Sequence, residues 1–171
     1  MKIFLIGMMG SGKTKTGQKL AKALSYKFID IDAFIEEKEG KSIPLLFKEI
    51  GETQFRELEH HYILKLQDYN NVVISTGGGL PCFHDNMDLI NKSGLSIYLQ
   101  AEPSFLKSRL INNKNSRPLI AKIPDEKLEG YLKDLLEQRR SYYEKASIRI
   151  SAINLNEKKI IEEITNRKYN S

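Results

Sequence analysis

The sequence predicts an α/β protein built on a parallel sheet with helices on both faces, and three observations predict it. Short apolar runs alternate with longer stretches of helical period along the 171 residues, the pattern of strand–helix–strand crossover units. The first of these runs, Ile3-Phe4-Leu5-Ile6, leads into Gly7-Met8-Met9-Gly10-Ser11-Gly12-Lys13-Thr14, which fills every fixed position of the phosphate-binding pattern G-x-x-x-x-G-K-[ST]. Gln18 to Leu24 then reads as helix, so strand, loop and helix stand in the order such a loop requires.

The loop residues specify its chemistry. Gly10 and Gly12, on either side of Ser11, let the backbone turn and bring N–H groups close to phosphate oxygens, where a Cβ on either glycine would obstruct. Lys13 adds a mobile positive charge for the outer phosphates, and Thr14 offers a hydroxyl to Mg²⁺. A helix starting near Gly12 points its positive end at the anion. Nucleoside triphosphate binding is therefore expected.

Beyond that helix, Lys27 to Asp32 alternates polar and apolar side chains, the period of a half-buried strand. This places Asp30 and Asp32 on one face at the strand's end. Ala33 to Glu39 reads as a short helix closed by Gly40; Ser42 caps another, with Pro44 in its first turn, that stops at Gly51. From Glu52 to Tyr69 a longer helix is expected, with Phe55, Leu58, Tyr62 and Leu66 forming an apolar stripe and the charges opposite.

Val72 to Thr76 is β-branched enough for a central strand, and it runs into Gly77-Gly78-Gly79. Three consecutive glycines are costly to order and are tolerated where something must approach the backbone closely. Phe83 to Lys92 reads as helix ended by Gly94, Leu95 to Leu99 as a fourth strand, and Pro103 to about Ile111 as the next helix. Residues 112–124 have no sustained period and are rich in loop formers; a loop that long in a compact domain is expected to be a functional flap. Asp125 caps a helix to about Tyr143, Ser147 to Ile150 is a fifth strand, and Asn156 to Arg167 a closing helix. One domain over 1–171 accounts for the chain, since no linker, repeat or low-complexity tract interrupts it.

Composition narrows the function. The net charge of +5 comes from lysines and arginines spread along the chain among acidic residues, without a basic face interleaved with aromatics, so nucleic acid is not an expected partner. A phosphorylated, acidic ligand explains the excess equally well. The single cysteine, Cys82, excludes an internal disulfide, and the histidines lack zinc spacing; His60-His61 reads as a solvated helix face. No run is long enough to span a membrane, and the uncharged stretch after Lys2 is too short for a signal peptide before Lys13 interrupts it, so the cytoplasm is the expectation; a monomer is expected as well.

In parallel sheets ligands sit beyond the carboxyl ends of the strands, where the phosphate loop, the two aspartates and the triple glycine all fall. The chain has no N-K-x-D guanine signature and no segment pointing to a motor or transporter. A small kinase with a mobile lid at about 112–124 is left.

The chain also resembles the shikimate kinase family over nearly its whole length. The resemblance is carried by Gly7 to Thr14, Asp30-Ile31-Asp32, Gly51-Glu52-x-x-Phe55-Arg56-x-x-Glu59, Ser75-Thr76-Gly77-Gly78-Gly79, Arg117-Pro118-Leu119 and Arg139-x-x-x-Tyr143, in that order. It implies a nucleoside monophosphate kinase-like three-layer P-loop fold with strand order 2-3-1-4-5. The implied activity is transfer of the ATP γ-phosphate to the 3-hydroxyl of shikimate, with Mg²⁺, in aromatic amino-acid biosynthesis.

By that resemblance Asp32 stands at the acceptor hydroxyls, and Asp30 is the Mg²⁺ partner beside Thr14. Arg56 and Arg139 bind the substrate carboxylate, a task suited to planar guanidinium groups. Gly77, Gly78 and Gly79 lie under the substrate ring, Arg117 is the lid arginine that meets the phosphates, and Arg109 stacks on adenine, although the flap here is one residue longer than the family's. Two departures stand out. Lys15 replaces a small hydroxyl residue that contacts the inner phosphate, and Arg139-Arg140-Ser141-Tyr142-Tyr143 lacks the family's proline, which leaves Arg140 as a rival to Arg139. Two alternatives stay open: a related kinase acting on gluconate or a nucleoside monophosphate, and a nucleotide-binding module without transfer activity.

Overall fold

Residues 1–169 are described by the computed structural model. Their strands form one parallel sheet in the order β2-β3-β1-β4-β5. The strands are β1 (Lys2–Ile6), β2 (Lys27–Asp30), β3 (Val72–Ser75), β4 (Leu95–Gln100) and β5 (Ile148–Ser151). The crossovers are α1 (Lys13–Leu24), α2 (Ile31–Glu39), α3 (Ile43–Lys65), α4 (Asn86–Ser93), α5 (Pro103–Leu110), α6 (Asp125–Tyr143) and α7 (Glu157–Tyr169).

The period-2 alternation of the central strands divides the core. Phe4, Ile6, Val72, Ile74 and Tyr98 face α2, α3, α4 and α6. Ile3, Leu5, Val73, Ile97 and Leu99 face α1 and α7. Because both faces are covered, the central strands β1, β3 and β4 are mostly apolar and buried, as in a parallel sheet, while the edge strands β2 and β5 carry polar residues.

Register explains why the motifs meet. Ser75 of β3 pairs with Leu5 on one side and Asp30 on the other, so the phosphate loop, Asp30 and the triple glycine leave the sheet at one level. Ligands in such sheets bind beyond that edge, where the crossovers diverge.

Several boundaries differ from those the sequence predicts. The strand expected to reach Asp32 ends at Asp30, because the Asp30 carboxylate accepts from the N–H groups of Asp32 at 3.1 Å and Ala33 at 3.4 Å and caps α2. Asp32 is thus the second residue of a helix. The break expected at Gly51 is present: α3 is two helices that meet at a kink, where Gly51 leaves helical geometry with φ 74° and ψ 173°. Ser42 precedes α3 without a side-chain capping bond; the Glu36 carboxylate instead accepts from the Ile43 N–H at 2.7 Å. The helix expected from Phe83 starts at Asn86, since Leu80–Cys82 forms a 3₁₀ turn and His84 takes φ 52°. Pro124, not Asp125, occupies the cap of α6.

The α3 stripe is also rotated from its expected place. Phe55, Glu59, Tyr62 and Leu66 are buried with Arg56 and Ile63, whereas Leu58 is half-buried. His60 is half-buried with its Nδ1 2.6 Å from Asn86 Oδ1, so only His61 of the pair is a solvated residue.

Candidate active site

Two cavities meet at the carboxyl edge of the sheet. The first, about 680 Å³, is lined by Gly12, Lys13, Thr14, Asp30, Arg109 and Arg117. Gly12 precedes α1 with φ 93°, a left-handed conformation that turns the loop into the helix axis. Lys13 is buried, and its Nζ donates to the carbonyls of Gly7 and Met8, each at 2.9 Å. Burial lowers its pKa to about 8, against the opposing pull of Asp32. An arriving polyanion raises it again by supplying the negative partner that burial withholds. Thr14 Oγ1 donates to Asp30 Oδ2 at 2.6 Å.

A hydroxyl and a carboxylate side by side next to a phosphate loop suit Mg²⁺, a hard cation that keeps several waters and takes few protein ligands. The described residues contain no cluster of three acidic, histidine or cysteine side chains that would hold a metal alone. The donor set thus fits an ion that arrives with the nucleotide.

Beside this cavity a recess of about 150 Å³ is lined by Ser11, Lys15, Lys19, Arg109 and Leu155. Ser11 Oγ is buried without a hydrogen-bond partner, and the Arg109 guanidinium lies 4.4 Å from the Phe105 ring centroid. Lys15 is exposed and lines both the recess and the phosphate cavity.

The second cavity, about 240 Å³, lies across the sheet edge and is lined by Asp32, Arg56, Glu59, Gly78, Arg117 and Arg139. Arg56 is only 5% exposed. It donates to Glu59 at 2.6 Å and Glu52 at 2.8 Å, and its guanidinium sits 4.6 Å from the Phe83 ring centroid. Burial works against its charge, but Glu59 and Glu52 outweigh that and hold its pKa above the ordinary range.

Arg139 is buried to the same degree, with Nη1 lacking a hydrogen-bond partner. Arg140 is half exposed and pairs with Glu137 and Glu144 outside the cavity. The two arginines differ by helical phase. Leu128, Leu132, Leu136, Arg139 and Tyr143 recur at three and four residues as the buried face of α6, and Arg140 falls off that face.

Burial first, then the neighbouring Asp30, raises Asp32 to about 6. Burial likewise raises Glu59 to about 7, opposed by Arg56. Asp32 and Glu59 converge over Gly77, where a Cβ would stand 2.9 Å from Asp32 Oδ1 and 2.6 Å from Glu59 Oε1. At Gly79 a Cβ would meet the Arg56 guanidinium at 2.5 Å. None of the three glycines takes a positive φ, so here glycine supplies space and the protein's own charged side chains occupy it. Gly79→Ala is expected to destabilise the fold by about 1–3 kcal/mol, because Arg56 is held on two sides and cannot retreat; thermal unfolding measures this.

Every site residue predicted from sequence lines one of these three spaces, and Arg117 lines both large cavities. Its Nε is buried without a partner. What the sequence missed is Glu59 as a buried member of the second cavity. Its place on the Phe55–Tyr62–Leu66 stripe was the available signal, since a carboxylate at a core position implies a partner.

A loop shaped for a nucleotide's phosphates and a small pocket lined by buried arginines and carboxylates share Arg117 as their common wall, and that defines a P-loop kinase with a small-molecule acceptor. Comparison with known proteins agrees and goes further. The family model described as shikimate kinase matches residues 9–168. A shikimate kinase of Phocaeicola vulgatus is 44% identical over 161 residues, covering 94% of this chain and 92% of the relative. The crystal structure of a shikimate kinase from Bacteroides thetaiotaomicron superposes with a TM-score of 0.89 at 36% identity, covering 99% of this chain and 98% of that one. A shikimate kinase from Acinetobacter baumannii in complex with shikimate superposes with a TM-score of 0.90 at 33% identity, covering 98% and 94%. The chain belongs to the shikimate kinase family. It is an ATP-dependent kinase of the three-layer P-loop fold, with the strand order 2-3-1-4-5 that the resemblance implies.

Proposed function

We propose that this chain transfers the γ-phosphate of ATP to the 3-hydroxyl of shikimate, giving shikimate 3-phosphate and ADP, with its residues dividing the work as follows. The observation that carries this reading is the acceptor cavity. Two buried arginines for one carboxylate and one raised carboxylate for hydroxyls surround a space of about 240 Å³, suited to a small hydroxylated acid.

Arg56 and Arg139 hold the substrate carboxylate, and the glycine floor of Gly77 to Gly79 lies under its ring. Asp32 accepts the proton of the 3-hydroxyl as its oxygen bonds to the γ-phosphorus. The bond from that phosphorus to the β,γ-bridging oxygen breaks, and ADP leaves with the electron pair. Lys13 and Arg117 stabilise the charge on the transferring phosphoryl group. Gly10, Ser11, Gly12 and Lys15 contact the donor phosphates, and Arg109 stacks on adenine. Mg²⁺ bound at Thr14 and Asp30 would neutralise phosphate charge.

Residues 112–124 serve as the lid of a single kinase domain spanning 1–171. Supporting this, the segment consists of turns and one 3₁₀ turn, tethered by Lys114 Nζ to the Ile123 carbonyl at 2.8 Å and by Ile120 in the core. Closure pivots about the Ile120 anchor and presses Arg117, which already lines both cavities, onto the phosphates. The protein acts as a cytoplasmic monomer; no helix among the described residues is long and apolar enough to cross a membrane.

Purified protein with MgATP is expected to release ADP rapidly only when shikimate is added, in a coupled assay that offers shikimate, gluconate and a nucleoside monophosphate in turn. ADP release with either alternative acceptor and none with shikimate sinks the reading. Nucleotide binding without transfer to any acceptor supports the non-enzymatic module instead.

A further inference from the structure

Tyr143 ends α6 fully buried, one turn beyond Arg139. Its hydroxyl donates to the Gly78 carbonyl at 2.6 Å and lies 3.6 Å from the Met8 sulfur. A hydroxyl has one proton, and a carbonyl is the stronger acceptor, so the bond belongs to Gly78 and the sulfur is a packing neighbour. The ring lies 5.0 Å from that of Tyr98, centroid to centroid, and Tyr98 itself abuts Gly7, where a Cβ would stand 3.4 Å from its ring.

Gly78 is the floor residue common to both cavities. A Cβ there would meet the Met9 nitrogen at 3.2 Å, Arg139 Nη1 at 3.4 Å and the Gly7 carbonyl at 3.5 Å. The phosphate loop therefore touches it on one side and the carboxylate-binding arginine on the other. A glycine without left-handed backbone, flanked by two more, is the least self-determined point of the site, and the Tyr143 hydroxyl is its fixed hydrogen-bond donor.

We infer that Tyr143 is a positioning residue for phosphoryl transfer: through the Gly78 carbonyl it sets the distance between the donor loop and the arginine that holds the acceptor. This rests on the proposed acceptor assignment. It differs from a packing role because the effect passes through the hydroxyl, which donates to Gly78 and also interacts with the Arg139 side chain, while the ring supplies the buried area. Small misplacements at a reacting centre cost far more rate than stability.

Tyr143→Phe keeps the ring and removes the hydroxyl, with both its bond to Gly78 and its interaction with Arg139. It is expected to lower kcat/KM for shikimate about tenfold, the loss of roughly one buried hydrogen bond expressed as rate. The Kd for ADP should stay within about twofold, because the loop's own phosphate contacts are unchanged. Ile160→Ala, in the core on the other face of the sheet, serves as the stability control; it is expected to lower Tm at least as much while leaving kcat/KM within about twofold.

An unchanged kcat/KM in Tyr143→Phe overturns the inference. So does a parallel weakening of ADP binding, or an equal loss of kcat/KM in Ile160→Ala, since either makes the effect a general one. A parent enzyme that fails to turn over shikimate overturns the acceptor assignment and this inference together. A working parent with an unaffected variant overturns this inference alone.

Discussion

Asp32→Asn is expected to lower kcat about 10²- to 10⁴-fold, the range a positioned general base contributes, while the Kd for a nucleotide stays nearly unchanged. The amide keeps the shape and loses the ability to take the hydroxyl proton. The parent's kcat/KM should fall as pH drops below about 6, where burial and the neighbouring Asp30 place the Asp32 titration, and that dependence should vanish in the variant's residual activity. The same substitution is expected to raise stability. A carboxyl whose folded pKa lies above its unfolded value of 3.8 binds its proton more tightly in the folded state. The cost of ionising it in the fold grows as pH rises from about 4 to about 6, and is fully present above that. At pH 8 the asparagine removes a cost of up to about 3 kcal/mol, and at pH 5 a smaller one. Thermal unfolding at the two pH values checks the sign: a variant less stable than the parent at pH 8 would contradict the burial argument, and turnover at the parental rate would remove Asp32 from the mechanism.

Arg56→Ala is expected to raise KM for shikimate about a hundredfold, the loss of a desolvated charge-assisted contact, with kcat changed less because the carboxylate is remote from the reacting hydroxyl. It should also destabilise the protein by about 3 kcal/mol, since truncation leaves Glu59 buried without its cation. The two consequences separate in a second variant. Arg56→Met combined with Glu59→Gln restores an apolar stem and a neutral partner, so much of the stability returns while KM stays high. Recovery of affinity together with stability would show that Arg56 acts by holding the fold and not by binding the acid. Steady-state kinetics and denaturant unfolding on the same samples decide between them.

Much of the site was legible because its chemistry sits at positions that local rules mark. A loop with every P-loop position filled announces nucleotide binding by itself, whereas the aspartates at a strand end and the run of three glycines gain their meaning from lying at the same sheet edge. Arg139 was legible in principle, since it holds the fourth position of a buried five-residue stripe on α6, whereas Arg140 beside it does not. Less legible was α3. The apolar residues there suggest a stripe through Leu58, but the buried face turns toward Glu59 because Arg56 and Glu59 satisfy each other inside and can be buried together. Periodicity counts apolar residues and does not see a paired charge as core. The start of α2 was hidden for a similar reason: alternation of polar and apolar residues continues past Asp30, and only the capping bonds from its carboxylate show that the strand has ended.

By itself the sequence determined the fold class, the order of the elements and the donor half of the site, because apolar period, capping residues and the phosphate loop act over a few neighbouring residues. Tertiary structure decided which charges are buried, which arginine of an adjacent pair enters the cavity and what the glycines make room for. Those outcomes depend on the register of strands far apart in the chain, which sets Asp30, Ser75 and the loop after Ile6 at one level, and on packing that brings α3 and α6 over that edge. Desolvation, and with it the raised Asp32 and Glu59 and the lowered Lys13, exists only once those elements have closed around the site.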